Sequence, residues 1–254
     1  MIFRTIISLL LLLAVSGCGT TLNGVTLSDG RLKQAKRIVV VALADNIVTY
    51  QRAGFNGEFR TMDMPLLDLD NFYAQRFADA MSSTLGVQAT AYQGARHDTL
   101  KRSIYAARPL LRRDRFDWKA AEQDLRAVAA ETDADLIAVI LREGFNDELS
   151  PVQAPVAGFG FTSGRGLCAA FAHLTVLIVD ATQIEPIAGA NVFRRDADGK
   201  IVSNRRGLPG ELCKKGKGAT ELSPEQFQIL RQTLLTIIDS NTIEQTTKRL
   251  LKYE

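Results

Sequence analysis

Among its 254 residues the chain has only two histidines and three cysteines. His97 and His173 are too few to build a multi-histidine metal centre, and no cysteine or histidine spacing of a zinc site is present. Neither sign of charge dominates: 31 Lys and Arg stand against 28 Asp and Glu, a formal net charge of +3. That balance gives no electrostatic reason for nucleic acid as a partner. Beyond residue 18 there is no apolar run approaching the roughly 20 residues of a membrane-spanning helix, and no internal repeat. What remains is 46% hydrophobic and 23% charged, enough apolar surface for a globular core.

The first eighteen residues differ from the rest. Arg4 supplies a positive start, and Thr5 to Val15 form an apolar stretch containing five consecutive leucines, Leu9 to Leu13. Val15-Ser16-Gly17-Cys18 follows, then Gly19. The stretch is too short to span a bilayer and has the form of a secretory leader. Its end resembles the lipobox of bacterial lipoproteins, read by the diacylglyceryl transferase and signal peptidase II. That resemblance implies cleavage between Gly17 and Cys18, a diacylglyceryl group on the Cys18 thiol and an acylated amine. Two or three acyl chains anchor stably where one binds marginally, each buried methylene contributing about 0.8 kcal/mol. Asp after the cysteine retains such proteins in the inner membrane under enterobacterial sorting. Gly19 therefore points to the outer membrane, with the body facing the periplasm.

With Cys18 assigned to lipid, Cys168 and Cys213 remain in a chain expected in an oxidising compartment, where a disulfide between them is the natural inference. Two buried reduced thiols are the other reading.

Residues 19–35 are polar and lack helical periodicity, as in a tether; residues 36–254 read as a single domain. Ile38 to Leu43 is a β-branched run suited to a strand buried on both faces. Residues 47–59 suggest an extended excursion or loose hairpin. Pro65 to Leu85 reads as a helix capped by Asp68 or Asp70 and stopped at Gly86, and Val87 to Tyr92 as a short strand. Residues 96–115 are basic and poorly patterned. A helix is expected from Asp117 to Thr132, then an apolar strand from Leu136 to Leu141. Residues 144–166, with their prolines and glycines, read as an exposed loop. Ala170 to Val179 is a long strand, turning at Asp180–Pro186 into a returning partner. Residues 196–222 read as loop, and a terminal helix opens with Ser223-Pro224-Glu225-Gln226, a capping box with Pro at the first helical position. Phe227, Leu230, Leu234, Ile237 and Ile238 form its apolar stripe.

The fold class that follows is α/β (α+β): one mixed sheet with helices packed on it. From residue 36 to 252, the element order and the strand, Asp180-Ala181-Thr182, turn, Pro186, strand sequence resemble the small α/β domains of several periplasmic lipoproteins. These are the curli-secretion channel subunit, the activators of penicillin-binding proteins and the amino-terminal domain of the Tol-system propeller protein. The long barrel strands of the channel subunit are not found.

Other motifs are better explained without chemistry. The glycines from Gly158 to Gly166 do not open a helix, as a phosphate loop requires, and Ser163 is not framed as a nucleophile elbow. His97-Asp98 resembles the pair of HD metal phosphohydrolases, but its companion histidines are missing, so a solvated loop histidine is expected. Cys168 and His173, five residues apart in a strand, point to opposite faces. Arg96, Lys101, Arg102, Arg108, Arg112, Arg113 and Arg115 form a candidate basic interaction surface, as do Lys214, Lys215 and Lys217; a solvated face is the alternative. No cofactor or metal is implied. The expectation is a non-enzymatic, membrane-anchored protein that binds or assembles with another envelope component. A cell-envelope hydrolase or a small-ligand carrier is the alternative.

Overall fold

β1 (Arg37–Ala42) and β5 (Leu136–Arg142) are apolar at nearly every position because both faces of their sheet are covered. In the computed structural model, which describes residues 31, 34–44, 47–52, 59–106, 118–145, 156–164, 167–195, 198, 201–213 and 222–251, they pair in parallel, with Ile38 opposite Leu136 and Ala42 opposite Ile140. β4 (Gln88–Ala91) joins the other edge of β1, also parallel. Ile38, Val40 and Ala42 point to one layer of helices, α1 (Leu69–Leu85), α4 (Pro224–Thr236) and α5 (Ser240–Leu251). Val39 and Val41 point to the other, α2 (His97–Ala106) and α3 (Trp118–Thr132). The result is a mixed, largely antiparallel sheet between two helical layers, the α+β class expected from the sequence.

β8 (Leu167–Asp180) organises the molecule. Its second half pairs antiparallel with β5 on one edge and with β9 (Pro186–Val192) on the other. Its first half runs past the ends of the parallel strands. There it pairs with β7 (Val156–Gly164) and β12 (Asn204–Gly207). β7 in turn pairs with β2 (Ile47–Arg52), and β2 with β3 (Phe59–Asp63), giving the order β3-β2-β7-β8-β5-β1-β4. The hairpin reading of residues 47–59 thus extends to Asp63. A two-residue strand, β6 (Gly144–Phe145), adds to β7, while β10 (Arg194–Arg195) and β11 (Ile201–Val202) pair with each other.

Several elements were not expected. Residues 144–166 supply β6 and the interior strand β7. Phe159 and Phe161 are fully buried on one face, and Gly160 on the other leaves room for Phe171: a Cβ at 160 would lie 2.2 Å from both Phe171 Cζ and the Thr49 carbonyl. Glycines that looked like loop residues are there for close packing. Residues 97–106 form α2 because Leu100 and Ile104, both fully buried, anchor one side of a mostly polar helix. Within 196–222, β12 is held by β8, and η2 (Gly210–Cys213) by buried Leu212 and the disulfide. The terminal helix is two helices. The capping box of α4 forms in full, Ser223 Oγ accepting from the Gln226 amide and Gln226 Oε1 from the Ser223 amide. The helix nevertheless ends at Thr236, and Asp239 Oδ1 accepts from the Thr242 amide, 2.7 Å away, to start α5.

The helix expected over Pro65 to Leu85 is a short 3-10 turn, η1 (Pro65–Leu67), followed by α1. Gly86 ends α1 at φ 66°, its amide donating to the Ser82 carbonyl. Asp68 occupies the cap position of α1 but makes no side-chain cap bond; its carboxylate accepts from Asn71 Nδ2 instead. Tyr73 of α1 stacks on Phe159, 5.3 Å between centroids, and its hydroxyl donates to the Leu234 carbonyl at 2.5 Å. Burial, only partly offset by that hydrogen-bonded environment, holds its phenol neutral far above the ordinary tyrosine range. Among the described residues no helix is long and apolar enough to cross a membrane.

Candidate functional site

In open α/β sheets, ligands settle outside the carboxyl ends of parallel strands, where successive crossovers leave in opposite directions. β1 and β5 provide such a place. The chain after β1 reaches β4 by way of α1 on one face, and the chain after β4 returns across the opposite face through α2 and α3 to β5. α2 lies across the two strand ends. Its residues 97, 101 and 105, four apart, share a side of the helix.

Each does something different there. His97 Nε2 lies 2.7 Å from the Ala42 carbonyl oxygen, a geometry that places the ring proton on that nitrogen. Tyr105 donates its hydroxyl proton to the Leu43 carbonyl at 2.6 Å and accepts from the Arg142 amide at 3.2 Å. The Arg142 guanidinium sits over the Tyr105 ring, 4.6 Å from its centroid. Lys101 Nζ is 3.6 Å from Asp70 Oδ2, and His97 Nε2 is 3.8 Å from the same oxygen. Asp70, in the first turn of α1, is 4% exposed; the helix dipole and the ammonium make that burial tolerable for a carboxylate. The stem of Arg142 runs beside Gly158, at φ 72°, where a Cβ would fall 2.8 Å from Arg142 Cγ and Cδ. Both the conformation and the space require glycine at this point, where β7 replaces β5 along β8.

A second polar network locks α2 to α3. Tyr92 donates to Glu131 Oε2 at 2.7 Å, Arg96 Nε donates to Glu131 Oε1 at 2.7 Å, Arg96 Nη1 lies 3.8 Å from Asp124 Oδ1, and Ser103 donates to Asp124 Oδ2 at 3.0 Å. The hydrogen bonds from Tyr92 and Arg96 hold the Glu131 carboxyl below its ordinary range. Burial, and then the bond to Glu131, pushes the Tyr92 phenol up.

The residues singled out from the sequence divide accordingly. Arg96 and Lys101, of the candidate basic surface, meet Glu131, Asp124 and Asp70, acids from other parts of the chain. Arg102 is exposed, its Nε donating to the Asp98 carbonyl at 3.3 Å. Arg108, Arg112, Arg113, Arg115, Lys214, Lys215 and Lys217, and the cleavage pair Gly17 and Cys18, lie outside the described residues. Cys168 and Cys213 are joined by a disulfide, with Cα atoms 5.8 Å apart. His173 stacks on Phe171 on the other face of β8, away from Cys168. His97 is not the loop residue expected: it opens α2 and is half-buried, because its imidazole closes the end of β1. From sequence Asp70 is only a candidate helix cap, and no local motif marks Tyr105 or Arg142. The four-residue spacing of His97, Lys101 and Tyr105 was the available signal.

Chemically, a lysine, an arginine, an imidazole and one buried carboxylate around two strand-end carbonyls suit the holding of a polar or anionic group. Among the described residues no group of three or more His, Cys, Asp or Glu is placed to hold a metal ion. At the opposite end of the sheet, Arg37, Gln88, Thr90, Thr132 and Ala134 line an open depression.

No protein-family model matches the chain, and no curated protein does. Solved structures align over most of it. A PelC variant, a dodecamer from Paraburkholderia phytofirmans, aligns at 8% identity over 84% of this chain and 91% of that one, with a TM-score of 0.30. A DUF330 protein from Xanthomonas campestris aligns at 12% identity over 91% and 88%, with a TM-score of 0.30. A hypothetical protein from Chlamydia trachomatis aligns at 12% identity over 84% and 98%, again with a TM-score of 0.30. Likeness at that level says nothing of function.

Proposed function

We propose that this chain is a lipoprotein, acylated at Cys18, whose folded body stands on the periplasmic side of the outer membrane and binds another component of the cell envelope. The observation that carries the reading is Val15-Ser16-Gly17-Cys18 at the end of a short leucine-rich stretch behind Arg4. The Cys168–Cys213 bridge supports it, since such bonds persist in oxidising compartments. Mass spectrometry of the mature amino terminus tests it: a diacylglyceryl-modified Cys18 and membrane fractionation are expected, with Cys18→Ala releasing the body. An unmodified thiol, or a leader still attached in cells, overturns it. Crosslinking in the intact envelope then identifies the partner.

A second reading, a carrier of a small anionic ligand, is favoured by the placing of Lys101 and Arg142 around Tyr105 at the carboxyl ends of β1 and β5. Calorimetric titration with simple carboxylates and phosphates, compared between the wild type and Arg142→Gln, tests it; heat that is the same in both counts against it.

A further inference from the structure

The strand β8 serves as a ruler for how the body stands on its membrane. Its last residue, Asp180, is ion-paired with Arg31, where the amino-terminal segment joins the fold. The Ala35 amide donates to the Arg31 carbonyl at 3.2 Å, and Ala35 is buried, so Arg31 and Ala35 are both seated on the body. Asp180 is a strong anchor for that junction. Its carboxylate also accepts from the Thr182 amide at 2.8 Å, the Thr182 hydroxyl at 2.6 Å and the Gln183 amide at 3.2 Å. Arg31 and Ala35, within the segment expected as a tether, are thus held against the body.

At the other end of β8, Cys168 is bonded to Cys213 and carries η2. The 14 residues of β8 measure about 45 Å at the rise of an extended strand. The segment from Cys18 to Arg31 can span at most about 45 Å when fully drawn out. Bringing the Cys168 end to the headgroups would thus require that segment to be drawn out to its full reach along the whole body. Bringing the Asp180 end there requires nothing of it.

We propose that the Asp180 end is the bilayer-facing surface of this protein and the Cys168–Cys213 end its outward-facing one; this rests on acylation at Cys18. The bilayer-facing surface comprises exposed Lys36, Arg37, Gln88, Thr182 and Gln183. At this end Arg31 is matched within the protein by Asp180 and Arg37 by Asp133. The surface lies against lipid headgroups because the tether is short, not because the surface is basic, so the orientation is insensitive to salt.

The test uses the full acylated chain in phosphatidylcholine vesicles carrying a headgroup quencher. A fluorophore is attached to a single added cysteine, at Gln183→Cys beside Asp180 or at Thr61→Cys. Thr61 is an exposed position on β3, in line through Thr49 and Gly160 with Phe171 near the far end of β8. Loss of most of the fluorescence at 183 and little at 61, unchanged in high salt, is expected. Equal quenching, or stronger quenching at 61, in a chain shown by mass spectrometry to be acylated overturns the orientation alone. An unmodified Cys18 in the same sample overturns the anchoring, and the orientation with it.

Discussion

The ring of Phe171 lies where a side chain at Gly160 would be. The two residues face each other across the β7–β8 pair, and the Thr49 carbonyl closes the same space from β2. No flexible side-chain end can simply move aside, because the Thr49 atom is backbone. Gly160→Ala should lower stability by about 2–3 kcal/mol, within the usual range for overpacking. Phe171→Leu combined with it should recover part of the loss, read from urea unfolding midpoints. A neutral Gly160→Ala would mean the two strands are not packed this closely.

Lys101 and Asp70 make a second testable pair. Replacing Lys101 by Met removes the ammonium 3.6 Å from a carboxylate that is 4% exposed. A loss of about 1–3 kcal/mol is expected, the scale for disturbing a buried polar partnership. In a double-mutant cycle with Asp70→Asn the two changes should be non-additive; strict additivity would show that the groups are not coupled.

The Cys168–Cys213 bridge closes a separation of 45 residues. The chain-entropy treatment assigns a loop of that length about 4 kcal/mol. Cys168→Ser with Cys213→Ser should therefore unfold at markedly lower denaturant, and the wild type should approach it on reduction. Because η2 and β12 lie beside the bridge, hydrogen exchange should rise first at Leu208 and Leu212.

Acid should act through Asp180. Burial raises the pKa of its carboxyl, but the Thr182 hydroxyl and amide, the Gln183 amide and Arg31 together outweigh that and hold it below the ordinary range. A carboxyl whose pKa is lower folded than unfolded adds stability that is complete above the unfolded value, near about 4, and is lost as pH falls through the folded one. Unfolding midpoints should thus decline between about pH 5 and pH 3, and more shallowly in Asp180→Asn. Identical slopes would remove Asp180 from the account.

How much was legible depended on whether a signal was local. β1 and β5 were plain, because continuous β-branched and aliphatic runs have few other uses. The β8–β9 turn was visible through Asp180 and Pro186, and α4 through its capping box, because caps and turns are satisfied within a few residues. β7 was hidden because its alternation is Phe against Gly, and Gly160 has a reason only once Phe171 lies over it. α2 was hidden because two buried residues, Leu100 and Ile104, sufficed to hold a helix whose remaining positions are polar. The stripe from Phe227 to Ile238 looked continuous, yet Asp239 starts a new helix within two residues of its end.

The sequence by itself determined the leader-like start, the expectation that Cys168 pairs with Cys213, and the mixed sheet with its covering helices. Each follows from composition or from interactions between near neighbours. Only the tertiary structure decided that Lys101 and Arg96 face acids, that Tyr105 and Arg142 meet over two strand ends, and that Arg31 is fastened to Asp180. Those partners are separated by up to about 150 residues, and charge attraction or hydrogen bonding between them has no local trace until the sheet brings them within a few ångströms.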